Sequence, residues 1–321
     1  MPVLDSHIDT PSELLRGRIM EQDNPEGHVD FPKLQRGGVD GAFFALYTAP
    51  ETAPDAATRH AVMMLSALQD MVEAHPGQVR FAFCADDILK NKREGLLSVL
   101  VGMENGAPIQ DSLSMLRFFH RQGIRYLTLT HNADNVIADS AAEHRRWGGL
   151  SPFGHEVLKE LNHLGIMADL SHSSDDTFWQ CLEESRAPVI ASHSSCRALC
   201  SHPRNLSDEM LRALGEHDGY VGINFYPAFL DEAYEKEMPG VERVVDHIDH
   251  AVSIAGLEHV GIGSDFDGIE VTPKGLGNIG MLPSVFEEMR RRGYSEEAIS
   301  RISGGNLLEV MKRVENAAVR A

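Results

Sequence analysis

The sequence predicts an α/β fold, a (β/α)8 barrel of the TIM type built as a single domain. Eight short apolar runs with the composition of β-strands alternate with longer segments of helical periodicity, and such alternation calls for parallel strands joined by crossover helices. The chain has 321 residues, a length that α/β barrels use as one domain. Polar and ionisable residues gather where the apolar runs end, and barrel active sites are built at that end of the strands.

The eight predicted strands are short and largely apolar. In chain order they cover residues 3–9, 41–47, 96–105, 125–132, 166–173, 188–195, 220–226 and 259–268. A ninth run, VRFAFCA at 79–85, also has the composition of a strand. Either this run pairs at an edge of the sheet or one of the eight predicted strands is wrong.

Helical segments separate the predicted strands. Ser207 precedes the run DEMLRAL as a capping residue, and Gly165 and Gly256 end two other runs, as expected at helix boundaries. The C-terminal segment, about 282–318, contains amphipathic helices that we expect to close the barrel. No repeat, low-complexity tract or Pro/Gly-rich linker divides the chain, so residues 1–321 are predicted to form one domain.

The charge balance disfavours several classes of protein. The chain has 48 acidic and 29 basic residues, a formal charge of −19, which repels phosphate backbones and anionic lipids. The N-terminus lacks the basic and apolar segments of a signal peptide, and no apolar stretch approaches the length of a membrane span. The cysteines Cys84, Cys181, Cys196 and Cys200 are expected to be free or buried thiols. These features predict a cytoplasmic protein.

Seven of the eight predicted strands end on a side chain that can carry chemistry. In chain order these are His7 with Asp9, Glu104, His131, His172, His193, Tyr226 and Asp265. Each has an ordinary structural explanation when taken alone. Their occurrence at the same end of the predicted strands indicates an active site.

The first predicted strand ends on a metal-ligand pattern. His7 and Asp9 are two residues apart, so their side chains leave the same face of a strand. An imidazole nitrogen and a carboxylate oxygen together suit Zn²⁺, Mn²⁺ or a similar divalent ion. Asp5 lies one step deeper on that face, where it either orients a ligand or bonds to the backbone.

Glu104, His172 and His193 complete a candidate two-metal site. Glu104 follows a nearly continuous apolar run, so it needs a cation or several hydrogen bonds to stay ionised, unless it has already entered a loop. His172 and His193 each follow an apolar strand in the pattern S-H-S; hydrogen-bonded structural histidines are the alternative. The full set matches two ions that share Glu104, one held by His7 and Asp9 and the other by His172 and His193. Such sites generate a hydroxide at neutral pH and polarise the group that it attacks.

Two further residues have candidate roles. Asp265 is placed to accept a proton from the attacking water and pass it to the leaving group; alternatively it caps a turn, a role that suits Asp267 better. Arg204 can clamp a carboxylate through two hydrogen bonds, unless it forms an ordinary loop ion pair. The other histidines are expected to be surface or structural residues, including His28, His60, His144, His202, His247 and His250.

The ordered motifs resemble those of one known family. DSHIDTP, VGMENG, LTLTHNADNVIADS, ADLSHSS, ASHSS, RNLSDE, INFY, GIGSDFDG and GGNLLEV follow one another over about 5–310. Together they are similar to the membrane (renal-type) dipeptidases, peptidase family M19 of the amidohydrolase-like barrels. The resemblance implies a distorted (β/α)8 metallopeptidase domain over 1–321 and two zinc ions bridged by Glu104. His7 and Asp9 then match the ligands of the first ion, and His172 and His193 match those of the second.

The resemblance also implies roles for the remaining site residues. His131 matches the family's oxyanion-assisting histidine, Asp265 its proton-shuttling aspartate, Arg204 the arginine that holds the terminal carboxylate, and Tyr226 a substrate-contacting tyrosine. Animal members are secreted and lipid-anchored with a disulfide framework, whereas this chain looks like a bacterial cytosolic member. A homodimer is compatible with the family.

We therefore expect a zinc-dependent dipeptidase in which a metal-bridging hydroxide attacks the peptide bond of a free dipeptide. The resemblance implies tolerance of a D-residue at the C-terminal position. One alternative is a binuclear metal amidohydrolase that acts on another small amide, lactam or ester. Another is a metal-stabilised barrel that binds a ligand without turnover, although the presence of all five candidate ligands and Asp265 argues against it. Neither a nucleic acid nor a membrane is an expected partner.

Overall fold

The computed structural model describes residues 1–142 and 145–318 and contains one parallel sheet of nine strands. The strands are β1 (Leu4–Ile8), β2 (Gly41–Tyr47), β3 (Val79–Phe81), β4 (Leu97–Glu104), β5 (Ile124–Thr128), β6 (Met167–Asp169), β7 (Ile190–Ala191), β8 (Tyr220–Ile223) and β9 (Val260–Ile262). Their order in the sheet is β1-β2-β4-β5-β6-β7-β8-β9, and β3 pairs with β4 outside this path.

Helices connect the strands. They are α1 (Thr10–Leu15), α2 (Phe31–Arg36), α3 (Pro54–Ala74), α4 (Ala85–Arg93), α5 (Leu113–Arg121), α6 (Pro152–Leu164), α7 (Asp175–Glu184), α8 (Asp208–Glu216), α9 (Pro227–Leu230), α10 (Val241–Ala255), α11 (Pro283–Arg291), α12 (Glu296–Ser300) and α13 (Asn306–Ala318). The predicted boundary residues are confirmed: Ser207 accepts from the Met210 N–H at the start of α8, and Gly165 ends α6 with φ 72°. Gly256 follows α10 with φ 97°.

The first and last strands meet and nearly close the ring. Ile8 forms a parallel bridge with Phe266. The Asp9 N–H donates to the Phe266 carbonyl at 2.9 Å, and the Asp265 N–H donates to the His7 carbonyl at 3.1 Å. The ring therefore closes through the residues that follow β9, directly beside two predicted site residues.

All eight predicted strands are confirmed, and the run at 79–85 is resolved. Val79–Phe81 forms β3, which pairs with Leu97–Val99 of β4, and α4 begins at Ala85. The first of the two alternatives is therefore correct. Most predicted strands are longer than the observed ones, because their polar C-terminal residues leave the hydrogen-bonded ladder to form the site.

Apolar side chains fill the barrel interior and the space between the sheet and the helices. The inner cluster includes Leu4, Phe43, Leu100, Tyr126 and Tyr220, together with Leu307, Met311 and Val314 of α13. Gly304, just before α13, lies against Pro2 and Leu4, so α13 packs at the end of the barrel where β1 begins. On β4, Gly102 leaves the space that the Tyr126 ring occupies, and this lets the ring cross the interior.

Within the described residues, no helix combines the length and the apolar character that crossing a membrane requires.

Candidate metal centre

The polar side chains at the strand ends converge at one end of the barrel. Among the described residues, three groups have ligand atoms that all lie within 4.8 Å of one another. They are His7 with Glu104 and His193, Glu104 with His131 and His172, and His7 with Asp9 and Asp265. Of the residues predicted at strand ends, these groups bring together all but Tyr226.

His7, Asp9 and Glu104 form the first ligand group. His7 on β1 is fully buried, and its Nε2 atom is 3.3 Å from Asp9 Oδ2 and 3.5 Å from Glu104 Oε2. Its other ring nitrogen, Nδ1, is 2.8 Å from the hydroxyl of Tyr126. The contact with Tyr126 fixes the orientation of the ring, so Nε2 faces two carboxylates.

His172 and His193 face the other oxygen of Glu104. Their Nε2 atoms are 3.1 and 3.4 Å from Glu104 Oε1 and 3.0 Å from each other. Glu104 therefore presents one carboxylate oxygen to each group, as a bridging ligand would. His172 has φ 68°, a left-handed conformation that costs energy in a non-glycine residue and is concentrated at functional sites.

The hydrogen bonds of these imidazoles fit a cation. Asn132 Oδ1 accepts from His172 Nδ1 at 2.9 Å, and Ser192 Oγ accepts from His193 Nδ1 at 2.8 Å. A neutral imidazole that donates from Nδ1 has a lone pair on Nε2. Two lone pairs then face each other beside a carboxylate oxygen, an arrangement that repels unless a cation binds to all three atoms.

Asp9 and Gly268 fit the same conclusion. Among the described residues, Asp9 Oδ1 is buried without a hydrogen-bond partner, which is costly for a carboxylate unless a cation binds it. A methyl group at Gly268 would overlap the carboxylate oxygens of Asp9 and Asp265. Gly268 therefore leaves the space around these two carboxylates free.

The cluster carries an excess of negative charge. Burial and the charge of Glu104 raise the pKa of Asp9 well above its ordinary value. Burial opposes the charging of His7, but Glu104 and Asp9 outweigh it and raise the pKa of His7. Burial and the nearby Arg204 lower the pKa of His172. Divalent cations would neutralise the carboxylates whose charges raise the pKa values of Asp9 and His7.

Asp265 and His131 flank the cluster. Asp265 Oδ1 is 3.9 Å from His7 Nε2, and Asn224 Nδ2 donates to Asp265 Oδ2 at 2.9 Å. His131 Nε2 is 3.9 Å from Glu104 Oε1, and the His131 ring packs edge-on to Tyr47 at 4.9 Å between centroids. Both residues line a cavity of about 470 Å³ at the ends of the strands.

Arg204 is a buried cation beside this cavity. Its side chain is 5% exposed and, within the described part of the chain, forms no ion pair; its closest acceptors are Ser194 Oγ at 3.4 Å and the His193 carbonyl at 3.3 Å. Burial lowers the pKa of Arg204 to about 10. The Phe229 ring centroid lies 5.3 Å from the guanidinium carbon, and Phe229 and Tyr226 both line the cavity. Among the described residues, Arg204 therefore does not form the loop ion pair that was the alternative to carboxylate binding.

Asp5 and Asp267 have structural contacts. Asp5 Oδ1 accepts hydrogen bonds from the backbone N–H groups of His7 at 3.1 Å and Ser264 at 3.0 Å. Of the two alternatives for Asp5, bonding to the backbone is therefore the one observed. Asp267 accepts from Arg18 at 2.6 Å and Thr10 at 2.8 Å, so it anchors the turn after β9. Of the other histidines named above, His144 lies outside the described residues.

Several site residues were not anticipated. They are Tyr47, Tyr126, Asn132, Asn224, Phe229 and Gly268. Asn132 and Asn224 each lie within two residues of a predicted site residue, so proximity in the sequence could have identified them. Tyr126 and Phe229 resemble ordinary core residues in the sequence, and only the tertiary contacts distinguish them.

Gly268→Ala should weaken metal binding. The added methyl group would displace the Asp9 carboxylate, and disturbing the support of a metal ligand typically costs 10–100-fold in affinity. Competition with a chromogenic chelator measures this loss. Gly277→Ala is the matched control, because the one described neighbour that its methyl group would meet is Met281 Sδ, at 3.8 Å. Wild-type affinity in Gly268→Ala would contradict the placement of a metal beside Asp9.

Sequence comparisons connect this arrangement to a known group of enzymes. A sequence model of membrane dipeptidases, peptidase family M19, matches residues 1–321. Dipeptidase aclJ of Aspergillus oryzae is 34% identical over 335 residues, which cover 99% of this chain and 79% of that protein. Dipeptidase tcpJ of Claviceps purpurea is 37% identical over 301 residues, covering 91% and 70%.

Solved structures of similar proteins share the fold. A metallopeptidase from Rhodobacter sphaeroides, liganded with a phosphinate mimic of the dipeptide L-Ala-D-Ala, is 30% identical with a TM-score of 0.90, covering 98% of this chain and 99% of that one. The dipeptidase AC, a metallopeptidase of family M19, is 31% identical with a TM-score of 0.91, and 98% of each chain is covered.

Proposed function

The chain belongs to the membrane dipeptidase family, peptidase family M19, and is a metallodipeptidase; from this we propose that it uses two zinc ions to hydrolyse free dipeptides. The observation that carries the proposal is Glu104, whose two carboxylate oxygens face two separate sets of candidate ligands. We propose that His7 and Asp9 bind one ion, that His172 and His193 bind the other, and that Glu104 bridges them.

The choice of zinc rests on the donor atoms. Imidazole ligands suit zinc, whereas sites for Mg²⁺ or Ca²⁺ are built mainly from oxygen. Three of the five proposed ligands are histidines. When bound, the two ions would acidify a water molecule and polarise the scissile carbonyl group.

In this proposal Asp265 transfers the proton of the reaction and His131 stabilises the negative charge that develops on the carbonyl oxygen. Asp265 Oδ1 accepts the proton of the attacking water and delivers it to the leaving amine, while Asn224 holds the other oxygen of Asp265. His131, whose pKa is lowered by burial, is neutral and donates an N–H to the oxyanion. Both residues line the same cavity.

Arg204 accounts for the restriction to dipeptides. Its buried guanidinium lacks an acidic partner among the described residues, and a terminal carboxylate of the substrate would supply one. We propose that Arg204 binds this carboxylate, with Tyr226 in contact with the substrate. Tolerance of a D-residue at this end is supported by the L-Ala-D-Ala mimic bound to the similar Rhodobacter enzyme.

We also propose a single catalytic domain, a cytoplasmic location and a homodimer for this chain. Ligands come from β1 through β7 and the proton carrier follows β9, so we propose that residues 1–321 act as one catalytic domain. A cytoplasmic location is supported by the four free cysteines, because disulfides are rare in reducing compartments. We retain the homodimer as a proposal from the family resemblance, which analytical ultracentrifugation tests.

Metal content and dipeptide hydrolysis test the proposed function together. Mass spectrometry should find about two zinc ions per chain, and a panel of L,L and L,D dipeptides should be hydrolysed. If two ions bind but no dipeptide is hydrolysed, the substrate of this site would be another small amide, lactam or ester. No bound metal and no activity after zinc addition would overturn the mechanism.

Arg204→Met should lower kcat/KM for dipeptides by about 10–100-fold, since hydrogen bonds to charged groups contribute about 1.5–3 kcal/mol. The loss should disappear for substrates whose terminal carboxylate is an amide, because these cannot pair with Arg204. Stability to urea should be maintained, because the variant removes a buried cation that has no acidic partner in the described parts of the chain. A variant that still discriminates between the acid and amide forms of one dipeptide would show that Arg204 does not bind the carboxylate.

A further inference from the structure

Asp169, at the end of β6, is a buried carboxylate whose hydrogen-bond partners lie on β5 and just after β6 and β7. Its Oδ1 atom accepts the backbone N–H groups of Ser171 at 3.1 Å and Ser192 at 2.8 Å. Its Oδ2 atom accepts the hydroxyl groups of Thr128 at 2.5 Å and Ser192 at 2.6 Å. Asp169 is fully buried and has no role among the residues discussed so far.

The Ser192 hydroxyl connects this carboxylate to His193. The hydroxyl has one proton, and the charged oxygen of Asp169 is its strongest acceptor. Ser192 Oγ is therefore free to accept a hydrogen bond from His193 Nδ1, which lies 2.8 Å away. His193 then carries its proton on Nδ1, and its lone pair on Nε2 faces Glu104 Oε1 at 3.4 Å.

We propose that Asp169 and Ser192 are positioning residues that hold His193 in the tautomer able to bind a metal ion. The inference rests on the proposed metal centre and assigns to it a relay, Asp169–Ser192–His193, that sets the affinity of one ion. Groups that orient a metal-ligating histidine through its second nitrogen commonly change metal affinity by 10–100-fold.

An isosteric substitution of Asp169 should reverse the direction of the hydrogen bonds from Asp169 through Ser192 to His193. In Asp169→Asn, the amide oxygen must stay at the Oδ1 position, because only an acceptor can meet the two backbone N–H groups there. The NH2 group then occupies the Oδ2 position and donates to Ser192 Oγ. The Ser192 hydroxyl then donates to His193 Nδ1, which at 2.8 Å is a closer acceptor than Ser171 Oγ at 3.4 Å. The proton of neutral His193 therefore moves to Nε2 and blocks the metal-binding nitrogen.

Thr128 provides a matched control. Its hydroxyl donates to the same oxygen of Asp169 and is equally buried. The Thr128 backbone pairs with Glu104, but its hydroxyl forms no hydrogen bond with a candidate metal ligand in the described structure. Thr128→Val therefore removes a hydrogen bond from Asp169 and leaves the relay to His193 complete. Ser192→Ala removes the relay without inverting it and preserves both backbone contacts of Asp169.

Zinc titration of the full chain, by competition with a chromogenic chelator, tests the proposal. We expect the wild type to bind two ions, Asp169→Asn to lose about 100-fold in affinity for one of them, Ser192→Ala about 10-fold, and Thr128→Val no more than about threefold. The affinity for the ion held by His7 and Asp9 should stay close to that of the wild type in every variant. Excess zinc should restore kcat in Ser192→Ala.

The outcomes separate the possible failures. If all three variants lose affinity equally and in proportion to a loss of stability in urea, Asp169 only ties the strands together, and the relay is wrong. Wild-type affinity in Ser192→Ala would overturn it as well, even if Asp169→Asn fails to fold. A wild-type chain that binds no divalent ion would overturn the proposed metal centre, and the inference with it.

Discussion

Glu104→Gln should abolish dipeptide hydrolysis and metal binding together. The two oxygens of Glu104 face His7 on one side and His172 on the other, and an amide supplies only one oxygen and no charge. Its NH2 group would point a donor at one ligand group. Because bound metal contributes several kcal/mol to catalysis, kcat/KM should fall by about a thousandfold or more. Steady-state kinetics and metal analysis measure the two losses.

A surface glutamate provides the control for this substitution. Glu94→Gln changes the same chemical group at an exposed ion pair with Arg80 and should leave both readouts at wild-type values. If Glu104→Gln retained two ions per chain and wild-type turnover, Glu104 would not be the shared ligand.

Asp265→Asn should separate metal binding from chemistry. Asn224 Nδ2 donates to Asp265 Oδ2, so the amide oxygen of the variant keeps that contact and the NH2 group replaces the oxygen that accepts the proton. Loss of a general acid–base group typically costs about 10²–10⁴-fold in turnover. Single-turnover kinetics should show this loss in the rate constant of the chemical step, while zinc content stays at the wild-type value.

The neighbouring carboxylate is the informative comparison. Asp267→Asn weakens the charged hydrogen bonds between Asp267 and the buried side chain of Arg18 and should lower the free energy of unfolding by up to about 3 kcal/mol, while kcat per folded molecule is preserved. If Asp265→Asn instead loses one zinc ion, Asp265 is a ligand of the His7 group, and another residue must carry the proton.

The barrel could be predicted because each strand is specified locally. Apolar runs such as GAFFALY at β2 and LSVLVGME at β4 have no competing interpretation as amphipathic helices. The position of β3 could not be predicted, because it depends on which half of β4 remains available. β5 pairs with Val101–Glu104, and β3 pairs with Leu97–Val99.

The candidate ligands could be predicted for a similar reason. In a parallel barrel all strands end at the same side, so His7, Glu104 and His193 must converge there whatever the register. The residues that orient them depend on register. Asp169 reaches Ser192 because Asp169 pairs with Ile190, and Tyr126 reaches His7 only because Gly102 leaves space for its ring.

The closed seam of the barrel determines when the protein can become active during synthesis. Asp5 and Ser264 are 259 residues apart in the sequence and are hydrogen-bonded. Asp5 lies two residues before His7, and Ser264 directly precedes Asp265. A growing chain on the ribosome thus exposes its first ligands long before the segment that completes their surroundings has been made. Such distant contacts form late and slowly, so the nascent protein remains without activity until most of its length has emerged.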